Sequence, residues 1–284
     1  MRIFRTITEI RDFLRPQRAA GRSIGLVPTM GALHEGHLSL LRRAKAECGC
    51  VVVSIFVNPT QFGPNEGFSR YPRDLEGDSR LCDSVGADAI FAPTPAEMYP
   101  EGFASWVDQD DATARLLEGE CRPGHFRGVL TVCLKLFHIV QPDRACFGQK
   151  DFQQALVVRR MVRDLDLPME LVVCPTVREA DGLAMSSRNR HLDAAARRQA
   201  TSLSRGLERA RAAVAAGERN AGTLADLIRA ELCAAGPCRI DYVAVADPDT
   251  LAPVETLERA AVALVAARIA GTRLIDNLLL LTSA

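Results

Sequence analysis

The sequence predicts an α/β protein, with a doubly wound parallel sheet in its first part and a smaller α+β domain after it. Three observations carry the prediction. Continuously apolar, β-branched runs alternate with amphipathic helical stretches up to about residue 176. From residue 177 the texture changes to long Ala/Arg-rich helical stretches. Three closely spaced strand patterns then end the chain. The predicted domains are therefore 1–176 and 177–284.

In chain order, "MRIFRTITEIRDFLR" reads as an amphipathic helix in which Thr6 and Glu9 form a capping box and Ile7, Ile10 and Leu14 make the buried stripe. The charges interrupting this segment exclude a secretory signal. "IGLVPT" at 24–29 is a strand, 37–48 is a helix with Leu38, Leu41, Ala44 and Cys48 at helical spacing, and "VVVSIFV" at 51–57 is a strand buried on both faces. Together they make a βαβ unit with a parallel pair. The alternation continues with a helix near 74–85, strand "ADAIFAP" at 87–93, a helix over 126–140, strand "ACFG", a helix over 151–165 and strand "ELVVCPT" at 170–176. Beyond them, 193–217 reads as one long helix and 221–235 as another that ends at Gly236-Pro237. "RIDYVAVA", "AAVALVAARI" and "TRLIDNLLL" read as antiparallel strands joined by turns.

Composition narrows the function. The chain has 284 residues, 48% of them hydrophobic and 25% charged, which suits one large domain and a smaller one. The formal net charge is zero, against the basic surplus expected of a nucleic-acid binder, and no apolar run is long enough to span a bilayer. The nine cysteines form no C-x-x-C pair and mostly lie in apolar surroundings, as expected of small buried hydrophobes in a reducing cytoplasm. Cys48 and Cys50, near His34 and His37, fit no usual zinc spacing.

Chemistry concentrates in three loops. "LVPTMGALHEGH", 26–37, joins a buried strand to a helix, where free N–H groups and a positive dipole end attract phosphate. Gly31 and Gly36 have Walker spacing, but His37-Leu38 replaces the lysine and hydroxyl of a P-loop, and no G-x-G-x-x-G occurs. What remains is H-x-G-H, with His34 and His37 three apart on one helical face and Gly36 keeping that side open. "FGQKDFQQ", 147–154, places Lys150 and Asp151 at the carboxyl end of a strand, where open α/β sheets bind ligands. "GLAMSSRN", 182–189, offers Ser186, Ser187 and Arg188 in adjacent positions. Two imidazoles, an ammonium, two hydroxyls and a guanidinium suit nucleotide phosphates whose negative charge spreads in a transition state.

These blocks resemble the pantothenate synthetase (pantoate–β-alanine ligase) family of the HIGH-motif nucleotidylyltransferase superfamily. "PTMGALHEGH", "IFVNPTQF", "HFRGVLTVCLKLF", "FGQKDFQQ", "READGLAMSSRN", "IDYVAVADPDTL" and "TRLIDN" follow that family's order across the whole chain. The H-x-G-H block is similar to the HIGH motif, and "MSSRN" looks like the counterpart of the KMSKS loop. Gln149 departs from the glutamate more often expected before the lysine.

The resemblance implies a Rossmann-like N-terminal domain and a cytoplasmic homodimer. It implies ATP, with Mg2+ carried mainly by its phosphates, and pantoate and β-alanine as small-molecule substrates. The reaction would pass through pantoyl adenylate. By the same resemblance, ATP is bound by Met30, Gly31, Ala32, Leu33, His34, Glu35, Gly36 and His37, by Gly148, Gln149, Lys150 and Asp151, and by Val177, Met185, Ser186, Ser187 and Arg188. Gln61 and Gln154 bind pantoate, Gln61 also meets β-alanine, and His37, His34 and Lys150 are catalytic. Met30 and Phe56 would neighbour the dimethyl group of pantoate, and 63–74 would belong to a lid. Other adenylyltransferases share H-x-G-H but lack the paired "VNPTQF" and "KDFQQ" blocks. A tRNA synthetase is disfavoured by the zero net charge, and an ATP-sensing module would not need the whole polar set.

Overall fold

A computed structural model describes residues 1–64 and 67–281. The chain divides into two compact units. Met1–Ala114, Glu118–Gln149 and Gln153–Pro175 form the first, and Arg115–Leu117, Lys150–Phe152 and Thr176–Ala284 the second.

In the first unit six strands make one parallel sheet: β1 (Arg2–Phe4), β2 (Ile24–Thr29), β3 (Cys50–Ile55), β4 (Ala89–Phe91), β5 (Arg144–Gly148) and β6 (Glu170–Cys174). Their spatial order is β1-β4-β3-β2-β5-β6. Leaving aside edge strand β1, this is the doubly wound order of the Rossmann fold, with its switch point between β2 and β5. The switch point is also where the sheet parts. β2 and β5 pair only at Gly25–Arg144 and Leu26–Ala145, whereas β2 pairs with β3 through all of Ile24–Thr29. The loops leaving β2 and β5 thus start from diverging strand ends, the place where such sheets open a crevice. Pro28 is tolerated in a central strand because it lies beyond the last β5 pairing.

The connections are α1 (Ile7–Ala19), α2 (Glu35–Glu47), α3 (Leu75–Ser84), α4 (Pro95–Met98), α5 (Ala112–Arg115), α6 (Glu118–Cys121), α7 (His125–Val140) and α8 (Phe152–Asp164). Strand parity sorts the core into two layers. Leu26, Val52, Phe91, Ala145 and Phe147 pack with Ile10 and Leu14 of α1 and with buried residues of α7 and α8. Val27, Val51, Val53, Ile90 and Cys146 pack with Leu38, Leu41 and Ala44 of α2 and Cys82 of α3. The expected Thr6–Glu9 capping box is present, and Ile10 and Leu14 are fully buried.

In the second unit α9 (Ala194–Ala200), α10 (Ser202–Ala215) and α11 (Ala221–Ala234) share a core with the antiparallel sheet β7 (Arg239–Ala246), β8 (Ala261–Ile269) and β9 (Thr272–Leu281). Two expectations are corrected here. The predicted helix 193–217 is split at Thr201, whose hydroxyl donates back to the Arg198 carbonyl at 2.8 Å and so competes with the regular ladder. β7 and β8 are joined by the long loop 247–260 rather than a turn. Asp247 organises that loop by accepting from Asp249 N, Thr250 N and the Thr250 hydroxyl. Among the described residues no helix is long and apolar enough to cross a membrane.

Candidate active site

The loop after β2 is built from both sides. The Thr29 hydroxyl donates to the Ser54 carbonyl at 2.7 Å and accepts from Gly31 N at 3.1 Å, which starts the turn. Gly31 (φ 81°) and Ala32 (φ 52°) then take the left-handed conformation. A Cβ on Gly31 would lie 2.8 Å from Asp78 Oδ2 and 3.0 Å from Ile55 Cγ2, so glycine is required twice over. Asp78, buried in α3, receives Ala32 N and Leu33 N on its two oxygens at 2.9 and 2.8 Å.

This cradle delivers the chain to the first turn of α2, where the His34 and His37 rings lie 4.1 Å apart, tilted by 41°. His34 N donates to His37 Nδ1 at 3.3 Å, which leaves the proton of a neutral His37 ring on Nε2. Glu35 does not turn toward this pair. Its carboxylate is ion-paired with Arg42 on the helix surface, and that pairing holds its pKa below the usual range.

Gln61 is buried at the end of the short helix Pro59–Gln61. Its Oε1 accepts from Asn58 Nδ2 at 3.0 Å and its Nε2 donates to Met30 Sδ at 3.1 Å, so it reaches the loop after β2. Asn58 is fixed by the Gly128 carbonyl (3.1 Å) and by the Tyr99 hydroxyl, which donates to its Oδ1 at 2.9 Å. Burial pushes the Tyr99 phenol up, so it remains a donor at neutral pH. Phe56 is buried beside Tyr99, with ring centroids 6.2 Å apart. Gln154 lies half-buried in the first turn of α8, and its neighbour Gln153 is committed to structure, bonding Glu118 N and the Thr113 carbonyl.

In the second unit a cavity gathers Lys150, Ser186 and Arg188 with Arg273 and Asp276. Lys150 Nζ lies 3.6 Å from Asp151 Oδ1 in the short helix Gln149–Asp151 that follows β5. The segment bearing Ser186 to Arg188 leaves a small hairpin in which Met185 N donates to the Val177 carbonyl and Arg178 bridges Ala184. Asp276 grips Arg178 with two bonds of 2.6 and 3.0 Å. Burial opposes the Arg178 charge, but these bonds outweigh it and raise the guanidinium pKa further. Ser187 opens the short helix Ser187–His191, and the Ser186 hydroxyl caps it by accepting from Arg188 N. Gly148 has open space where a Cβ would stand.

The family model described as Pantoate-beta-alanine ligase matches residues 2–279. The chain belongs to the pantoate-beta-alanine ligase family. It is 54% identical over 280 residues to the pantothenate synthetase of Moorella thermoacetica, covering 99% of each chain. The pantothenate synthetase structure from Thermus thermophilus superposes with a TM-score of 0.95 at 48% identity, over 99% of this chain and 100% of that one. The pantoate-beta-alanine ligase of Francisella tularensis, solved with beta-gamma ATP and beta-alanine, matches with a TM-score of 0.81 at 34% identity, over 99% and 98%.

The ligase fold thus brings Met30 to His37 together with Gln61 in one unit and Lys150 with Ser186 and Arg188 in the other. Lys150 falls with the second unit although the sequence put it inside 1–176. The residues that sequence reasoning missed are buried and polar: Asp78, Asn58, His125, Asp276 and Asn277. Asn58, His125, Asp276 and Asn277 stand in blocks quoted above, and Asp78 stands in the helix read near 74–85. A polar residue next to apolar neighbours, as in "IFVNPTQF" and "TRLIDN", was the available signal. Asn65 and Glu66 of the expected lid 63–74 lie outside the described residues.

Proposed function

We propose that this ligase joins (R)-pantoate to β-alanine at the expense of ATP, by way of pantoyl adenylate, in a cytoplasmic homodimer. In the first step a pantoate carboxylate oxygen attacks the α-phosphorus and pyrophosphate leaves. In the second the neutral amine of β-alanine attacks the acyl carbonyl, AMP leaves, and the amine proton passes to solvent or a phosphate oxygen. The pantoate carboxylate is already ionised at neutral pH, so the first step needs no strong base. Positioning and charge neutralisation carry it.

The observation that carries this reading is the 3.1 Å contact of Gln61 Nε2 with Met30 Sδ, which brings a buried carboxamide to the H-x-G-H loop. A thioether is a weak acceptor, so an oxygen of pantoate would displace it at little cost. Gln154 would supply a second carboxamide, and Gln61 would also meet β-alanine. For ATP the proposed contacts are Met30 to His37, Gly148 to Asp151, Val177, and Met185 to Arg188. His37, with Nε2–H as donor, His34 and Lys150 would stabilise the phosphates as charge develops. Mg2+ would neutralise phosphate charge. Mg2+ keeps several waters and takes substrate phosphate oxygens as ligands, so it would arrive mainly on the ATP phosphates.

The test is ATP–pyrophosphate exchange. Exchange should require pantoate and proceed without β-alanine, and pantothenate should form only once β-alanine is added. Exchange that ignores pantoate, or none at all, overturns the reading.

A further inference from the structure

Behind Gln61 lies a buried imidazole. His125 opens α7 and is 7% exposed. Its Nδ1 is 2.9 Å from the Gln61 carbonyl oxygen and its Nε2 is 2.9 Å from Arg122 Nη1. A carbonyl only accepts and a guanidinium only donates. The two contacts are satisfied together by one form of the ring, neutral with its proton on Nδ1. Arg122 Nη2 reaches the same carbonyl at 3.5 Å, and Arg122 Nη1 lies 3.9 Å from the buried Glu118 carboxylate. The Glu118–Arg122 pair thereby orients the imidazole, and the imidazole holds the main chain of Gln61.

The neighbouring contacts repeat the theme. Gly128, one turn further along α7, packs so close to the 58–61 turn that a Cβ there would lie 2.5 Å from the Thr60 carbonyl oxygen and 2.7 Å from Gln61 N. The Gly128 carbonyl also accepts from Asn58, the residue that holds Gln61 Oε1. The start of α7 thus grips the Gln61 turn at its main chain, and the grip of His125 depends on which ring nitrogen carries the proton.

We propose that His125 is a positioning residue for pantoate: as the Nδ1-protonated neutral tautomer, oriented by Arg122, it fixes the main chain from which the Gln61 carboxamide is presented. The proposal rests on the reading that Gln61 binds pantoate. It concerns neither ATP nor the reacting atoms, so its mark is selective.

The test measures pantoate and ATP KM values in pantoate-dependent exchange for H125A, H125N and Gln61→Ala, with thermal unfolding alongside. H125A should raise the pantoate KM about tenfold, the worth of one hydrogen bond, and leave the ATP KM within about twofold. H125N, whose amide N–H can reach the same carbonyl, should recover most of the loss. If alanine prevents folding, the near-isosteric pair H125N and H125D carries the same contrast, because a carboxylate cannot donate to a carbonyl. An equal rise in both KM values, or an asparagine variant as impaired as alanine or aspartate, overturns the proposal. So does a Gln61→Ala effect on pantoate that H125A does not share. Gln61→Ala with an unchanged pantoate KM instead overturns the reading of Gln61, and this proposal with it.

Discussion

The side-chain amide of Asn277 in β9 donates a 3.0 Å hydrogen bond to the main-chain carbonyl of Lys150. Asn277 is 2% exposed, and its own N–H is bonded to Asp276, which grips Arg178. One dipeptide of β9 therefore anchors both Lys150 and the hairpin that leads to Ser186 and Arg188. The bond joins Lys150 to the sheet of the unit in which it lies.

Asn277→Ala should cut the exchange rate by about 10–100-fold, the equivalent of a buried carbonyl left without its partner. The pantoate KM should hold within about twofold. Steady-state exchange kinetics with circular dichroism as the folding control check this. A variant that exchanges at the normal rate would show that the Lys150 main chain needs no such anchor.

Gly128→Ala should act on the other unit. The added Cβ would meet main-chain atoms of Thr60 and Gln61 at 2.5–2.7 Å, and main chain cannot swing aside as a flexible side chain can. Overpacking of this kind costs about 1–3 kcal/mol. Urea unfolding should show that loss, and the pantoate KM should rise because the Gln61 turn is displaced. Unchanged stability would mean that α7 shifts freely against the turn.

The longer strands and helices were legible in the sequence because their signal is local, whereas Arg2–Phe4, read as part of the first helix, form strand β1. β2 and β7 match the apolar runs residue for residue, and α1 carries the capping box that Thr6 and Glu9 announce. The H-x-G-H and Gln-Lys-Asp segments stand out because polar groups follow buried strands at fixed offsets. Asp78, His125 and Asn277 were not legible as parts of the site, since each matters through a partner 45 or more residues away. Strand β1 has three residues and pairs only with β4, too short a run for a period to show. The split at Thr201 also escaped, because a single hydroxyl decides it inside a stretch of strong helix formers.

His37→Ala and Lys150→Ala should each lower turnover by about 10²–10³ while folding normally, the usual worth of one group that stabilises developing charge. His34 caps α2 and His37 lies in its first turn, with ring centroids 4.1 Å apart, so the double variant should lose less than the product of the single losses. Initial rates of pantothenate formation, with thermal melts as control, test this. Full activity of Lys150→Ala would remove the ammonium from the phosphate site altogether.

Asp111 gives a prediction in pH. Burial pushes its carboxyl up. Hydrogen bonds from Thr113 and Gln109 and the Arg160 guanidinium outweigh that effect and hold it below the usual carboxylate range. The cluster is tied to the start of α6, because Gln153 links the Thr113 carbonyl to Glu118 N. A carboxyl whose pKa is depressed on folding adds stability that is complete above its unfolded value, about 3.9, and is lost as the pH falls through the lower folded value. Asp111→Asn should therefore be less stable than the parent by about 1 kcal/mol at pH 7, the range of about 1.5–3 kcal/mol for hydrogen bonds to a charged group being reduced because the carboxylate is 33% exposed. The gap should stay constant down to about pH 5, begin to narrow near pH 4 as the unfolded carboxyl takes up its proton, and close only once the pH has fallen through the lower folded value. Urea unfolding of both proteins at pH 7, 5 and 3.5 measures it, and a gap as wide at pH 3.5 as at pH 7 would show that the carboxylate charge contributes nothing.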